Sequence, residues 1–230
     1  MAVYTIADTH LSLGGSKPMD VFEGWKGYVS RLEENWRRVV KHEDTVVVAG
    51  DVSWAMRLEN TLEDFRFLHG LPGKKILMKG NHDYWWNSMA KMNAFVRENG
   101  FDTLHFLFNN SYQAEGVWLC GTRGWMFLPE EPHDEKMTAR EEGRLRASLA
   151  AAGDSEKIVF LHYPPLATNA RAPGMIAILQ QFGVSQCYYG HLHGHAIQWG
   201  VQGMVDGITY HLVSADATGF MPVLVNTPDI

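Results

Sequence analysis

The chain has 230 residues and 26.0 kDa, 46% hydrophobic and 20% charged, enough apolar material to bury a sizeable core as one domain over residues 1–230. Its net charge of −6 gives no global positive field for nucleic acid, so an acidic substrate needs local help, for which bound cations are the obvious source. No apolar run is long enough to span a membrane, the start at Met1–Ile6 has no basic leader, and Cys120 and Cys187 sit in apolar runs, which sets the expectation of a cytoplasmic protein with reduced core thiols.

Val3 to Ala7 reads as a buried strand ending in Asp8-Thr9-His10, followed by a Gly-rich loop through Gly14-Gly15. From Val21 to Lys41, Phe22, Trp25, Val29, Leu32, Trp36 and Val39 recur at helical spacing, with Asp20 as N-cap. Trp25 and Trp36 are expected in the core. Thr45 to Ala49 is a second buried strand, ending in Gly50-Asp51, and Arg57 to Leu68 a second amphipathic helix closed by Gly70 and Pro72. A third strand, Lys75 to Met78, runs into Gly80-Asn81-His82-Asp83, a cluster expensive to bury without partners. Three strands, each ending in ligand-type residues and separated by helices, imply a parallel sheet with right-handed crossovers that sets those ends side by side.

Ser88 to Glu98 is predicted to be a helix. Leu104–Phe108, Tyr112–Ala114 and Val117–Gly121 read as shorter antiparallel strands bordering a second sheet. Trp125 to Asp134 reads as a surface loop, suited to a lid or a dimer contact, and Thr138 to Ala152 as a helix with a Thr138–Glu141 capping box and a solvated charged face. Lys157 to Leu161 is a buried strand ending in His162-Tyr163, and Gly174 to Gln181 a helix. The apolar run to Tyr189 then meets Gly190-His191-Leu192-His193-Gly194-His195, where strand-like alternation puts three imidazoles on one side. Neutral imidazole is the commonest ligand for transition metals. Gly207–Val213 and Met221–Val225 supply two more strands.

The strand ends together offer Asp8, His10, Asp51, Asn81, His162, His191 and His193, too many ligands for one ion and well suited to two. Two divalent cations about 3.5–4 Å apart need a bridging anionic ligand, and Asp51 is the natural candidate. The ordered set Asp-x-His, Gly-Asp, Gly-Asn-His-Asp, His and Gly-x-His-x-His, each after a strand, resembles the calcineurin-like metallophosphoesterase superfamily, and the resemblance runs from Asp8 to His193. It implies an α/β fold of two packed mixed β-sheets flanked by helices. It also implies one ion on Asp8, His10, Asp51 and His193, another on Asp51, Asn81, His162 and His191, and a water or hydroxide shared between them as the attacking group. His82 matches the residue that contacts substrate phosphate and protonates the leaving oxygen, and Asp83 the carboxylate that orients it. Mixed oxygen and imidazole ligands favour Mn, Fe or Zn.

The resemblance is not uniform. Val52-Ser53-Trp54 follows Gly50-Asp51 where protein serine/threonine phosphatases continue Asp-Arg-Gly, and Asp83 stands where they usually have glutamate. The chain looks closer to the bacterial stand-alone phosphohydrolases and phosphodiesterases, with a small phosphodiester or phosphomonoester, such as a nucleotide, as substrate. Trp54, Trp85 and Trp86 follow ligand motifs closely and are candidates to wall the cleft, or else to pack the loops. Arg123 is a candidate phosphate contact or a structural ion pair. His195 is surplus to the ligand set. Within the superfamily a nuclease or protein phosphatase is the rival reading, and a non-catalytic metal scaffold the rival from outside enzymology. The partner expected is thus a small ester, with no membrane and no nucleic acid, and an oligomer as an open option.

Overall fold

The structure, a computed structural model, describes residues 1–15, 17–126 and 134–227. In chain order its first half forms β1 (Val3–Ile6), α1 (Tyr28–Val39), β2 (Thr45–Val48), α2 (Leu62–Gly70), β3 (Lys74–Leu77), α3 (Met89–Glu98) and β4 (Leu104–Phe106). There follow β5 (Tyr112–Ala114), β6 (Val117–Thr122), α4 (Glu135–Ala150), β7 (Lys157–Leu161), β8 (Leu166–Ala167), β9 (Ala170–Arg171), α5 (Pro173–Gln181), β10 (Gln186–Tyr189), β11 (Gly203–Val205), β12 (Ile208–Leu212) and β13 (Val223–Leu224).

The first sheet has the order β13-β1-β2-β3-β4, parallel except for β13, and the second β11-β12-β10-β7-β6-β5, with β12, β10, β7 and β6 parallel. Alternation along β2 shows how the layers stack. Val46 and Val48 point into a core shared with Leu32, Trp36 and Phe65 of the helices, whereas Val47 joins Ile158, Phe160 and Tyr188 between the sheets. Leu145, Leu149 and Leu179 of α4 and α5 cover the far face of the second sheet against Val159 and Cys187. A strand buried on both faces is apolar throughout, which is why these runs carry no polar alternation. Two mixed sheets packed face to face between helices are what the resemblance implied. Cys120 and Cys187 are buried free thiols in that packing. No helix among the described residues is long and apolar enough to cross a membrane.

Several elements depart from expectation. The helix expected from Val21 starts at Tyr28: Gly24 and Gly27 adopt positive φ (81° and 63°), and Asp20 accepts from Gly27 N (2.7 Å), capping a loop instead. Phe22 is consequently exposed, while Trp25 and Trp36 are core, as expected. The second helix opens as a 3-10 turn over Leu58–Thr61. β4 is not antiparallel at the second sheet but parallel to β3 in the first. Helix α4 begins three residues before Thr138, because Asp134 accepts from Met137 N (3.0 Å) and takes the capping role. Its charged face is not all solvated either. Glu141 is fully buried and accepts from Thr122 Oγ1 (2.8 Å), Arg123 (3.2 Å) and Arg144 (2.5 Å). Most of the loop expected at Trp125–Asp134 lies outside the described residues.

Candidate metal centre

The parallel strands of both sheets end at one edge, and there the backbone bends sharply. Asp8, His10, Asp51 and His191 all adopt positive φ (61°, 44°, 51° and 73°), a conformation that costs a non-glycine residue energy and collects at functional sites. Glycines make the room. A Cβ on Gly190 would meet Asp8 Oδ2 at 2.5 Å, and one on Gly50 would meet His162 Nδ1 at 2.7 Å.

Each carboxylate is held by one oxygen and presents the other. Asp8 Oδ2 accepts from His191 N (2.9 Å), and its Oδ1 is buried with no hydrogen-bond partner, 3.2 Å from His193 Nε2 and 3.7 Å from His162 Nδ1. Asp51 Oδ1 accepts from His82 N (2.8 Å), leaving Oδ2 3.7 Å from His10 Nε2 and 3.4 Å from His162 Nε2. The imidazoles fall into two groups: His10 Nε2 and His193 Nε2 are 3.3 Å apart, while His162 Nε2 (2.6 Å) and His191 Nδ1 (3.0 Å) both face Asn81 Oδ1. The ligand atoms of Asp8, His10 and His193 lie within 4.8 Å of one another, as do those of Asp8, Asp51 and His162. Thus all seven expected ligand-type residues converge, and Asp8 as well as Asp51 sits between the two groups.

The cluster fits cations and little else. His162 Nδ1 lies 3.2 Å from Ala49 O, so a neutral ring donating there turns the Nε2 lone pair toward the oxygens of Asn81 and Asp51, acceptor against acceptor. Burial, reinforced by Asp8, raises the Asp51 carboxyl to about 8. Burial also raises Asp8, but His193 and the other imidazoles outweigh it and hold Asp8 below the ordinary carboxylate range. Burial opposes charge on His193, yet Asp8 and Asp216 lift it to about 10, whereas burial and His162 depress His191 to about 3. His10 is pulled well down by burial. A divalent cation would replace these protons and relieve the crowding.

Around the cluster the expectations divide. Trp54 stacks on His10 (centroids 4.8 Å apart, planes 20°) and lies 4.5 Å from the His82 ring, so it does wall the cleft. Trp85 does not: it is 1% exposed, set edge-on to Phe65, and donates Nε1–H to Asp83 Oδ1 (2.8 Å). Trp86 likewise packs against the helical core. The Arg123 guanidinium is held by buried Glu141, while the Arg123 carbonyl accepts from His162 N and Tyr163 N (3.0 and 2.8 Å), so this residue braces the His162 loop. His82 is partly exposed at the cleft, with Nδ1 buried and unpartnered. Asp83 therefore does not orient its imidazole. Its oxygens accept from Val52 N (2.9 Å), Ser53 N (3.2 Å) and Gly80 N (2.7 Å), tying together the loops after β2 and β3. His195 is exposed on the 3-10 turn Gly194–Trp199, where strand alternation no longer applies.

One residue escaped sequence reasoning. Asp216 accepts from His193 Nδ1 (3.0 Å) and from Gly194 N (2.9 Å), aiming Nε2 at the cluster. Its signal lies in the chain as a carboxylate a few residues past β12, which ends at Leu212.

The family model of calcineurin-like phosphoesterases matches residues 1–195, a span that takes in every one of the seven converging residues. The chain belongs to that family. Membership makes it a metal-dependent phosphoester hydrolase at the level the family shares. No curated protein matches it in sequence. Among solved structures it is similar to a phosphopantetheinyl hydrolase from Mycobacterium tuberculosis, at 15% identity and TM-score 0.59, over 99% of this chain and 96% of that one. It is also similar to a protein of unknown function from Aquifex aeolicus, at 20% identity and TM-score 0.52, over 97% and 95% of the two chains. A Thermus thermophilus protein, TT1561, aligns at 11% identity and TM-score 0.54, over 97% of each chain. At these identities the likeness is one of fold.

Proposed function

We propose that this phosphoesterase hydrolyses a small phosphodiester or phosphomonoester with two divalent ions of the Mn, Fe or Zn type. One ion would be held by Asp8, His10, Asp51 and His193, the other by Asp51, Asn81, His162 and His191. The observation that carries the reading is the convergence of carboxylate, amide and imidazole ligand atoms on one spot, with Asp8 Oδ1 between His193 and His162 and the His162 Nε2–Asn81 Oδ1 contact foremost. Bound there, two cations would neutralise the ester's anionic oxygens and lower the pKa of water toward neutrality.

This chain's own residues do the rest. Backbone N–H groups of His82 and His191 fix the two carboxylates, so the spacing of the charges is set before substrate arrives. Asp216 and the Ala49 carbonyl hold His193 and His162 in one orientation. His82, on the cleft wall, hands a proton to the leaving oxygen, a contribution typically of about 10²–10⁴-fold. Asp83 keeps the loops carrying Asp51 and Asn81 in register. The net charge of −6 disfavours a polymeric nucleic acid and suits a small ester.

Turnover of bis-p-nitrophenyl phosphate with Mn²⁺ should vanish in Asp51→Ala and in His191→Ala while circular dichroism shows the fold retained. Metal content by mass spectrometry should fall in both. Full activity in either variant would end the proposal.

A further inference from the structure

Two cavities open beside the cluster, one over each group of imidazoles. The larger, about 540 Å³, opens over His10, His82 and His193 and is walled by Phe22, Trp25 and Trp54. The smaller, about 330 Å³, opens over His191 and is walled by Trp125, Tyr163 and Trp199. The 3-10 turn Gly194–Trp199 borders both, giving His195 to the first and Ala196 and Trp199 to the second. The ligand-type residues divide the same way, since His10 and His193 meet each other, whereas His191 meets Asn81 and His162. Each cavity therefore leaves from a different end of the place where phosphorus would sit.

The walls say what each cavity is for. Among the described residues lining them there is no lysine or arginine, and the larger contains Glu23. The nearest cations are already engaged: Lys17 Nζ lies over the Trp54 ring (4.9 Å), and the Arg123 guanidinium, over the Trp125 ring (5.0 Å), is paired with Glu141, so a second anionic group would find little counter-charge to spare on either side. Flat aromatic walls instead suit uncharged rings or apolar chains, and both volumes lie within the range of about 300–1,000 Å³ usual for small-molecule pockets. A monoester has one organic group and would leave one of these cavities to water. A diester has two.

Resting on the hydrolase reading above, we infer that the substrate is a phosphodiester with two uncharged, apolar or aromatic arms, one in each cavity. The arm beside His82 is the one that leaves, and the arm beside Trp199 stays on the product. Water adds its oxygen to phosphorus as the P–O bond to the first arm breaks. One water proton ends on the departing oxygen and the other is released, giving a monoester and an alcohol.

Calorimetry on the Mn²⁺-loaded protein with analogues whose P–C bonds cannot be hydrolysed tests the two-armed reading without turnover. Diphenylphosphinate should bind about tenfold more tightly than phenylphosphinate, which carries the same charge and one arm, the scale of one added aromatic stack. Trp199→Ala, which truncates a partly exposed side chain outside the cores, should bring the two within about threefold. In kinetics, kcat/KM should follow the order bis-p-nitrophenyl, methyl p-nitrophenyl and p-nitrophenyl phosphate. Trp199→Ala should collapse the ratio of the first to the second, while Phe22→Ala should lower both and keep their ratio. Equal binding of phenylphosphinate and diphenylphosphinate, or kinetic preference for the monoester, would overturn the inference and leave the hydrolase reading intact. Inertness toward all three esters would end the hydrolase reading, and the calorimetric contrast would still decide whether two arms are bound.

Discussion

Strand β2 has a buried aspartate at each end, and the two could hardly differ more. Asp44, just before the strand, accepts from Ala2 N through one oxygen and from Lys41 N through the other, both at 2.8 Å. Asp51, just after it, is anchored by one oxygen only and turns the other toward two imidazoles. The contrast extends across the sheet. At the Asp44 end, buried Lys75 gives its ammonium to the carbonyls of Leu71 (2.6 Å) and Gly73 (2.7 Å). At the Asp51 end, Asp8 Oδ1 has no hydrogen bond. Buried charge with its partners in place is scaffold, and buried charge deprived of them is held ready for something not yet bound.

Substitutions can break or sharpen this contrast. The largest effect is expected for Asp51→Ala, which should abolish metal-dependent ester hydrolysis. Its thermal midpoint without metal should match or exceed that of the parent, because a crowded carboxylate has gone. A protein that unfolds instead would place Asp51 with Asp44 as scaffold. Next, Asp216→Asn should weaken metal binding about 10–100-fold in chelator competition while circular dichroism is unchanged. Unaltered affinity would remove Asp216 from the centre.

Asp44→Ala should do the reverse of Asp51→Ala. It strands two backbone donors and should cost about 1–3 kcal/mol in urea unfolding, with kcat of the folded fraction maintained. The smallest effect concerns Lys75, whose ammonium burial pulls down to about 8 from an unfolded value of 10.5. Between those values the unfolded chain binds the extra proton, so this group's contribution to stability rises as pH climbs through that window. Relative to Lys75→Met, the wild type should therefore gain in urea midpoint between pH 7.5 and pH 9.5. A constant difference would refute the assignment.

Much of this was legible in the chain because it lies at strand ends. Asp8, His10, Asp51, Asn81, His162, His191 and His193 each follow an apolar run, and parallel pairing brings such ends to one edge whatever the fine geometry. What stayed hidden depends on partners far off in sequence. Leu104-His105-Phe106 is a three-residue strand that does not say which sheet it joins or in which direction. Glu141 reads as a surface charge until Thr122 and Arg123 are set against it. Trp85 sits two residues beyond Asp83, but whether an indole faces cleft or core depends on Phe65. Asp83 lies next to His82 in sequence and serves another loop in space.

The sheets are also stitched together by main chain at one point. Ala7 N donates to Val213 O (2.8 Å) and Ala215 N to Ala7 O (3.0 Å), immediately before Asp8 and Asp216 respectively. The seam ties the ligand-type residues that follow the first sheet, Asp8, His10, Asp51 and Asn81, to those that follow the second, His162, His191 and His193, directly beneath the cluster. Admission of a guest and release of its fragments would then fall to the loops above the seam rather than to a hinge between the sheets.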